Sequence, residues 1–150
     1  MSKESSAPAG APQSKEGNRT MVEKFSVHIT PFNLERTVQV YLPDDWQTSR
    51  QKYPVLYMFD GLNVFFDSDA TYWKCWGMKE YMDYTNTQMI IVAVECNHSP
   101  DNGRLKEYAP FSFHDARCGS ITAKGTITMD WMVHTLKPKI DRDFRTISDR

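Results

Sequence analysis

The 150-residue sequence is poor in the residues that build covalent or metal frameworks. Its three cysteines, Cys75, Cys96 and Cys118, stand about twenty residues apart, which fits neither a disulfide framework nor a CxxC pair. The four histidines, His28, His98, His114 and His134, include no HExxH and no pair four residues apart. Neither a metal site nor a cofactor is therefore expected. Charge of one sign is never concentrated: 18 basic residues face 19 acidic ones, for a net charge of -1. Without a basic patch there is no electrostatic footprint of a nucleic-acid binder, and the expected partner is a small, weakly charged molecule. Long apolar runs are missing too. The longest run of aliphatic residues and Met, Met89 to Val94, is far too short to cross a bilayer, and "MSKESSAPAG" has no apolar core for export. A cytoplasmic chain with no membrane contact is the expectation.

What is present is enough for a core: 40% of residues are hydrophobic and 13% aromatic, and the length suits one domain. Residues 1–20, rich in Ser, Ala, Gly, Pro, Lys and Glu, have almost nothing to bury, so they read as a disordered tail preceding a domain over 21–150. From Met21 the pattern changes. Val22, Phe25, Val27 and Ile29, then Leu34, Val38, Val40 and Leu42, predict two strands joined by a short turn at "TPFN".

The stretch "YPVLYMFDGLNVFFD", Tyr53 to Asp67, poses a choice. Asp-Gly between apolar runs is a strong hairpin signal. Yet Val55 to Phe59 carry no polar residue, so both faces are apolar, as in a strand of a parallel sheet covered by helices. Pro54 sits at the start, where a missing N–H is tolerated. A second doubly apolar run, "QMIIVAVE", follows a segment in which Trp76, Glu80, Tyr81 and Tyr84 recur at helical spacing around Lys74 to Tyr84. Strand, helix, strand implies a parallel pair, which leaves Asp60-Gly61 as a loop.

A stretch of thirty residues rich in turn formers follows Glu95; loops that long are usually functional or mobile. A helix is then expected from about Thr126, with Met129, Val133, Leu136 and Ile140 as its apolar stripe and Pro138 kinking or ending it.

In that order, "YPVLYMFDGLNVFFDSDATYWKCWGMKEYM", "MIIVAVECN", "GRLKEYAPF" and "WMVHTLKPKIDRDFRT" resemble the esterase branch of the α/β-hydrolase fold, which includes enterochelin esterases, feruloyl esterases, esterase D and mycolyltransferases. The resemblance spans Met21 to Arg150. It implies an α/β fold holding the amino-terminal half of the α/β-hydrolase sheet, with an antiparallel first pair, then parallel strands with crossover helices, truncated before the nucleophile strand. No G-x-S-x-G occurs; Ser99, Ser112 and Ser120 lie in the long loop. The nucleophile, acid and histidine are then expected beyond residue 150.

By the same resemblance the loop "FDGLN" supplies an oxyanion donor, the backbone N–H of Leu62, with Gly61 allowing a close backbone approach. Asp60, Trp73 and Trp76 are candidates for the substrate pocket. The implied function is the amino-terminal portion of a serine carboxylic-ester hydrolase working through an acyl-enzyme on a small-molecule ester. The alternative is a non-catalytic binding or scaffolding protein on a degenerate hydrolase fold.

Blander roles compete for several of these residues. Trp73 and Trp76 equally suit core packing. Asp67 and Asp69 lack calcium-loop spacing, and Asp69 suits a helix cap. Arg104 and Glu107, three apart, suggest a charge pair holding the long loop over the cleft above Tyr108. His98 and His114 share that loop as weaker candidates for a general base.

Overall fold

The computed structural model describes residues 20–149, so the expected tail lies, apart from Thr20, outside the described residues. Strands β1 (Met21–Ile29) and β2 (Leu34–Leu42) pair antiparallel along their whole length, from Met21 opposite Leu42 to Ile29 opposite Leu34. Their link is the expected short turn, a 3-10 turn Thr30–Phe32 with Pro31 in its first positions and Asn33 left-handed at φ 51°. Asn tolerates that conformation better than most residues.

Strand β3 (Val55–Met58), helix α1 (Met78–Thr85) and strand β4 (Ile90–Val94) come next, and β3 and β4 are parallel, with Val55 opposite Ile90. The strand-helix-strand reading holds. The sheet order is β1-β2-β4-β3, with β4 antiparallel to β2.

Side chains alternate across this sheet, so each strand feeds two cores. Val38, Val40, Leu42, Ile90 and Val92 pack on one face with Trp131, Leu136 and Ile140 from the later helices. Tyr41, Ile91 and Ala93 pack on the other with Val64, Phe65 and Met82. Every residue of β4 is buried, which is why the run carries no polar residue.

β3 is the edge strand, and its Leu56 is 42% exposed. Beyond the edge, Tyr53 gives its N–H to the Arg145 carbonyl and accepts the Ile147 N–H, both at 2.9 Å, as a parallel bridge. Alternate residues of a strand turn their backbone groups the same way, so Val55 and Tyr57 face that side too. Among the described residues no strand continues there.

Three expectations need correction. The helix read around Lys74 to Tyr84 begins only at Met78, and the residues whose spacing pointed to it face outward: Trp76, before the helix, and Tyr81 and Tyr84 are exposed, and Met82 is the residue buried. The inner face of α1 is carried by Met82, with Met78 partly buried, which pack with Val64 and Phe65 against the sheet. The long stretch after Glu95 is also less irregular than expected. It holds helix α2 (Gly103–Tyr108) and a two-stranded hairpin of β5 (Phe113–Asp115) and β6 (Gly119–Ile121). Finally, the last helix passes through Pro138. Helix α3 (Gly125–Trp131) runs into a π segment (Met132–Leu136) and on into α4 (Lys137–Asp143).

The π segment closes with the Lys137 N–H on the Met132 carbonyl, one residue before Pro138. A wide turn at that place accommodates a ring that would otherwise crowd the preceding turn. It also resets the buried face: Thr128, Met132, Leu136 and Ile140 are inside, whereas Met129 and Val133 of the expected stripe are about half exposed. Among the described residues no helix is long and apolar enough to cross a membrane.

Candidate active site

At the carboxyl end of β3 the chain turns at Asp60, which is left-handed at φ 52° and ψ 46°, and enters a 3-10 turn, Gly61–Asn63. No hairpin forms at Asp60-Gly61. The positive φ belongs to Asp60, while Gly61 is needed for a different reason. A Cβ on Gly61 would lie 2.6 Å from the carbonyl carbons of Ala93 and Val94, so the loop rests directly on the backbone of β4. The close backbone approach expected of Gly61 is, in the fold, one to the sheet.

The polar groups of Asp60 are all engaged. Its N–H donates to the Tyr108 hydroxyl at 3.2 Å, and its carbonyl accepts the Asn63 N–H at 2.9 Å. Its carboxylate takes a two-pronged pair from Arg104, Nε to Oδ1 at 2.8 Å and Nη2 to Oδ2 at 2.6 Å. Those bonds hold the Asp60 carboxyl below its ordinary range, against an opposing push from burial. Buried close by, the Cys96 thiol is pushed up to about 11 by desolvation, with the Asp60 charge adding to it. It is a poor nucleophile at neutral pH.

Two residues on, the geometry changes. The N–H groups of Asn63 and Val64 are paired, to the Asp60 and Gly61 carbonyls at 2.9 and 3.3 Å. The N–H groups of Gly61 and Leu62 meet no acceptor among the described residues. Leu62 as a residue is partly buried, and Gly61 is buried.

Asn63 organises the loop that leads on to α1. Its carbonyl accepts the Trp76 N–H at 2.7 Å and its side-chain Oδ1 accepts the Thr71 N–H at 2.9 Å, while Asp67 accepts the Cys75 N–H at 2.8 Å. The loop is thereby drawn back over the 3-10 turn. Sequence reasoning missed this role, although Asn is a residue whose side chain closes local turns on backbone N–H groups.

The two tryptophans are displayed, not packed: Trp73 is 78% exposed at φ 58°, and Trp76 is 54% exposed. Trp76 lines a hollow of about 510 Å³ with Phe65, Phe66, Lys74 and Glu80. A second hollow of about 420 Å³ lies on the Asp60 side, lined by Phe59, Tyr108, Pro110, Thr126 and Met129. The Phe59 and Tyr108 rings stand 4.8 Å apart at its rim. Asp60 adjoins this second hollow through its neighbour Phe59 and its partner Tyr108, whereas Trp76 borders the other depression and Trp73 lines neither.

The remaining candidates take new partners. Asp69 caps no helix; its carboxylate binds the Lys24 and Gln39 side chains, and the residue preceding α1 is a left-handed Gly77. Arg104 and Glu107 do not pair with each other. Arg104 reaches Asp60, and Glu107 forms a buried pair with Arg36 at 2.7 Å. Helical residues three apart can meet, but here each finds a stronger partner from another element. His98 lies against Glu95 and Cys96, and His114 against Ser120 in the β5–β6 hairpin.

A family model described as "Putative esterase" matches residues 29–150. Among solved structures the chain is similar to an IroE-like serine hydrolase from Shewanella oneidensis, with a TM-score of 0.63 and 18% identity over 85% of this chain and 40% of that one. It is similar to a ferulic acid esterase, with a TM-score of 0.57 and 20% identity over 88% of this chain and 48% of that one. BES protein from Bacillus cereus gives a TM-score of 0.56 and 18% identity over 94% and 52%. The chain therefore spans 40% to 52% of these three structures. No curated protein matches it. At such identities the likeness is one of fold, a mixed α/β sheet.

Proposed function

The chain belongs to the family described as "Putative esterase", and on that premise we propose that it supplies the oxyanion-binding half of a serine carboxylic-ester hydrolase working through an acyl-enzyme. The observation that carries this reading is the Leu62 N–H, which has no acceptor among the described residues although the next two N–H groups along the turn are paired. A fixed, unpaired donor at the carboxyl end of a parallel strand is what a developing oxyanion needs, because it stabilises charge without reorganising during the reaction.

The nucleophile is a residue this sequence does not contain, since no G-x-S-x-G occurs in it. Ser112 and Ser120 serve the hairpin region: the Ser112 hydroxyl accepts the Ala123 N–H and Ser120 meets His114. Neither is set beside a base and an oxyanion donor together. The substrate is a small neutral ester, whose apolar part suits the hollow at Phe59, Tyr108 and Met129.

The test joins this chain to a segment carrying the serine, acid and histidine, and measures hydrolysis of p-nitrophenyl esters. Leu62→Pro deletes the donor and is expected to lower kcat by about 10²–10³ with KM nearly unchanged. Leu62→Ala keeps the N–H and is expected to keep most of the activity. Equal losses in the two variants, or an active and folded Leu62→Pro, would show that Leu62 is not the donor.

A further inference from the structure

We propose that Arg104 is a positioning residue, whose two-pronged grip on Asp60 holds the left-handed turn that sets the direction of the Leu62 N–H. The inference rests on the oxyanion reading of Leu62, but the geometry that carries it is independent of catalysis. A non-glycine residue in the left-handed region is disfavoured and persists where its surroundings over-determine it. Around Asp60 they do. Helix α2 contributes two side chains one turn apart, Arg104 to the carboxylate and Tyr108 to the N–H. The Arg104 guanidinium lies over the Tyr108 ring at 5.4 Å, and that ring packs on Phe59, the residue before the turn.

From below, Gly61 is seated on the β4 backbone with no room for a Cβ. The loop is therefore gripped between the sheet and α2, with Asp60 as the held point and Leu62 two residues further on. A single charge at that place would attract the carboxylate without orienting it. The planar fork of Arg fixes both carboxylate oxygens, and with them the side-chain and backbone torsions of Asp60.

Residue-resolved amide hydrogen exchange on the 150-residue chain reads the turn directly, because the Asn63 N–H is bonded to the Asp60 carbonyl. Arg104→Gln is expected to lower protection at Asn63 by up to about fivefold, with a loss at the Val92 amide of the central strand that is no larger. Arg104→Lys, which keeps the charge and loses the fork, is expected to recover only part of that protection. Asp60→Asn, nearly isosteric and tolerant of the left-handed region, removes the pair from the other side and is expected to match Arg104→Gln.

Unchanged protection at Asn63 overturns the proposal. So does a larger loss at Val92 than at Asn63, since Arg104 would then act on the fold as a whole and not on the turn, and so does full recovery in Arg104→Lys. These outcomes do not depend on ester hydrolysis. A failed esterase test with a loosened Asn63 would reject the oxyanion role of Leu62 and leave the positioning role of Arg104 in place.

Discussion

Helix α2 carries two arginine–carboxylate pairs of similar chemistry in opposite surroundings. At Glu107 the pair with Arg36 is sealed, with side chains 3% and 5% exposed. At Arg104 the pair with Asp60 sits at the mouth of the candidate site, with Arg104 53% exposed and Asp60 13%. The buried pair has a single bond at 2.7 Å and leaves the Arg36 Nε without a partner, whereas the exposed pair is two-pronged. Burial makes the first pair dangerous to break, because a lone charge there has neither water nor counter-ion. Exposure makes the second weak as a source of stability, yet its fork geometry gives it control over backbone direction. One short helix thus ties the excursion after β4 to β2 at one point and holds the turn at Asp60 at another.

The contrast breaks most visibly on the buried side. Glu107→Ala strands the Arg36 guanidinium and is expected to cost about 3–5 kcal/mol in urea denaturation, while the double change Arg36→Met with Glu107→Leu recovers most of it. A single-variant loss below about 1 kcal/mol would mean that the pair is not sealed from water.

An intermediate effect is expected where the loop meets the sheet. Gly61→Ala drives a methyl group into the Ala93 and Val94 backbone and should cost about 1–3 kcal/mol, the usual range for overpacking. Thermal unfolding that leaves this variant as stable as the parent would place Gly61 away from β4.

The smallest effect belongs to the exposed pair. Asp60→Asn should cost about 1 kcal/mol or less at neutral pH. The Asp60 carboxyl is held below its ordinary value of 3.8 in the folded chain, chiefly by the Arg104 bonds. Its contribution is therefore complete above that value and fades as the pH falls through the depressed one. Denaturation of parent and variant at stepped pH checks this: the difference should close only in the acid range below 3.8. A gap that closes near neutrality would assign it to another group.

Much of the sheet was legible because its signals are local. The turn at "TPFN", the all-apolar runs in β3 and β4 and the helical span between them depend on neighbours a few residues apart, and all appear in the fold. The site was legible only in part. That Asp60-Gly61 forms a loop and not a hairpin was legible, but that the positive φ falls on Asp60 and that Gly61 lies against β4 was not. Asn63 and Tyr108 acquire their roles through partners that no short window of sequence includes.

By itself, then, the sequence determined the strands β1 to β4, the parallel pairing of β3 with β4 and the absence of a G-x-S-x-G serine, because periodicity and motif are properties of contiguous residues. Only the tertiary structure decided that Arg104 grips Asp60, 44 residues away, and not Glu107 one turn along, that Glu107 goes to Arg36 across 71 residues, and that Trp73 and Trp76 face outward. The physical reason is that a polar side chain takes the partner its burial and geometry favour, and those are set only when β3, β4 and α2 have come together.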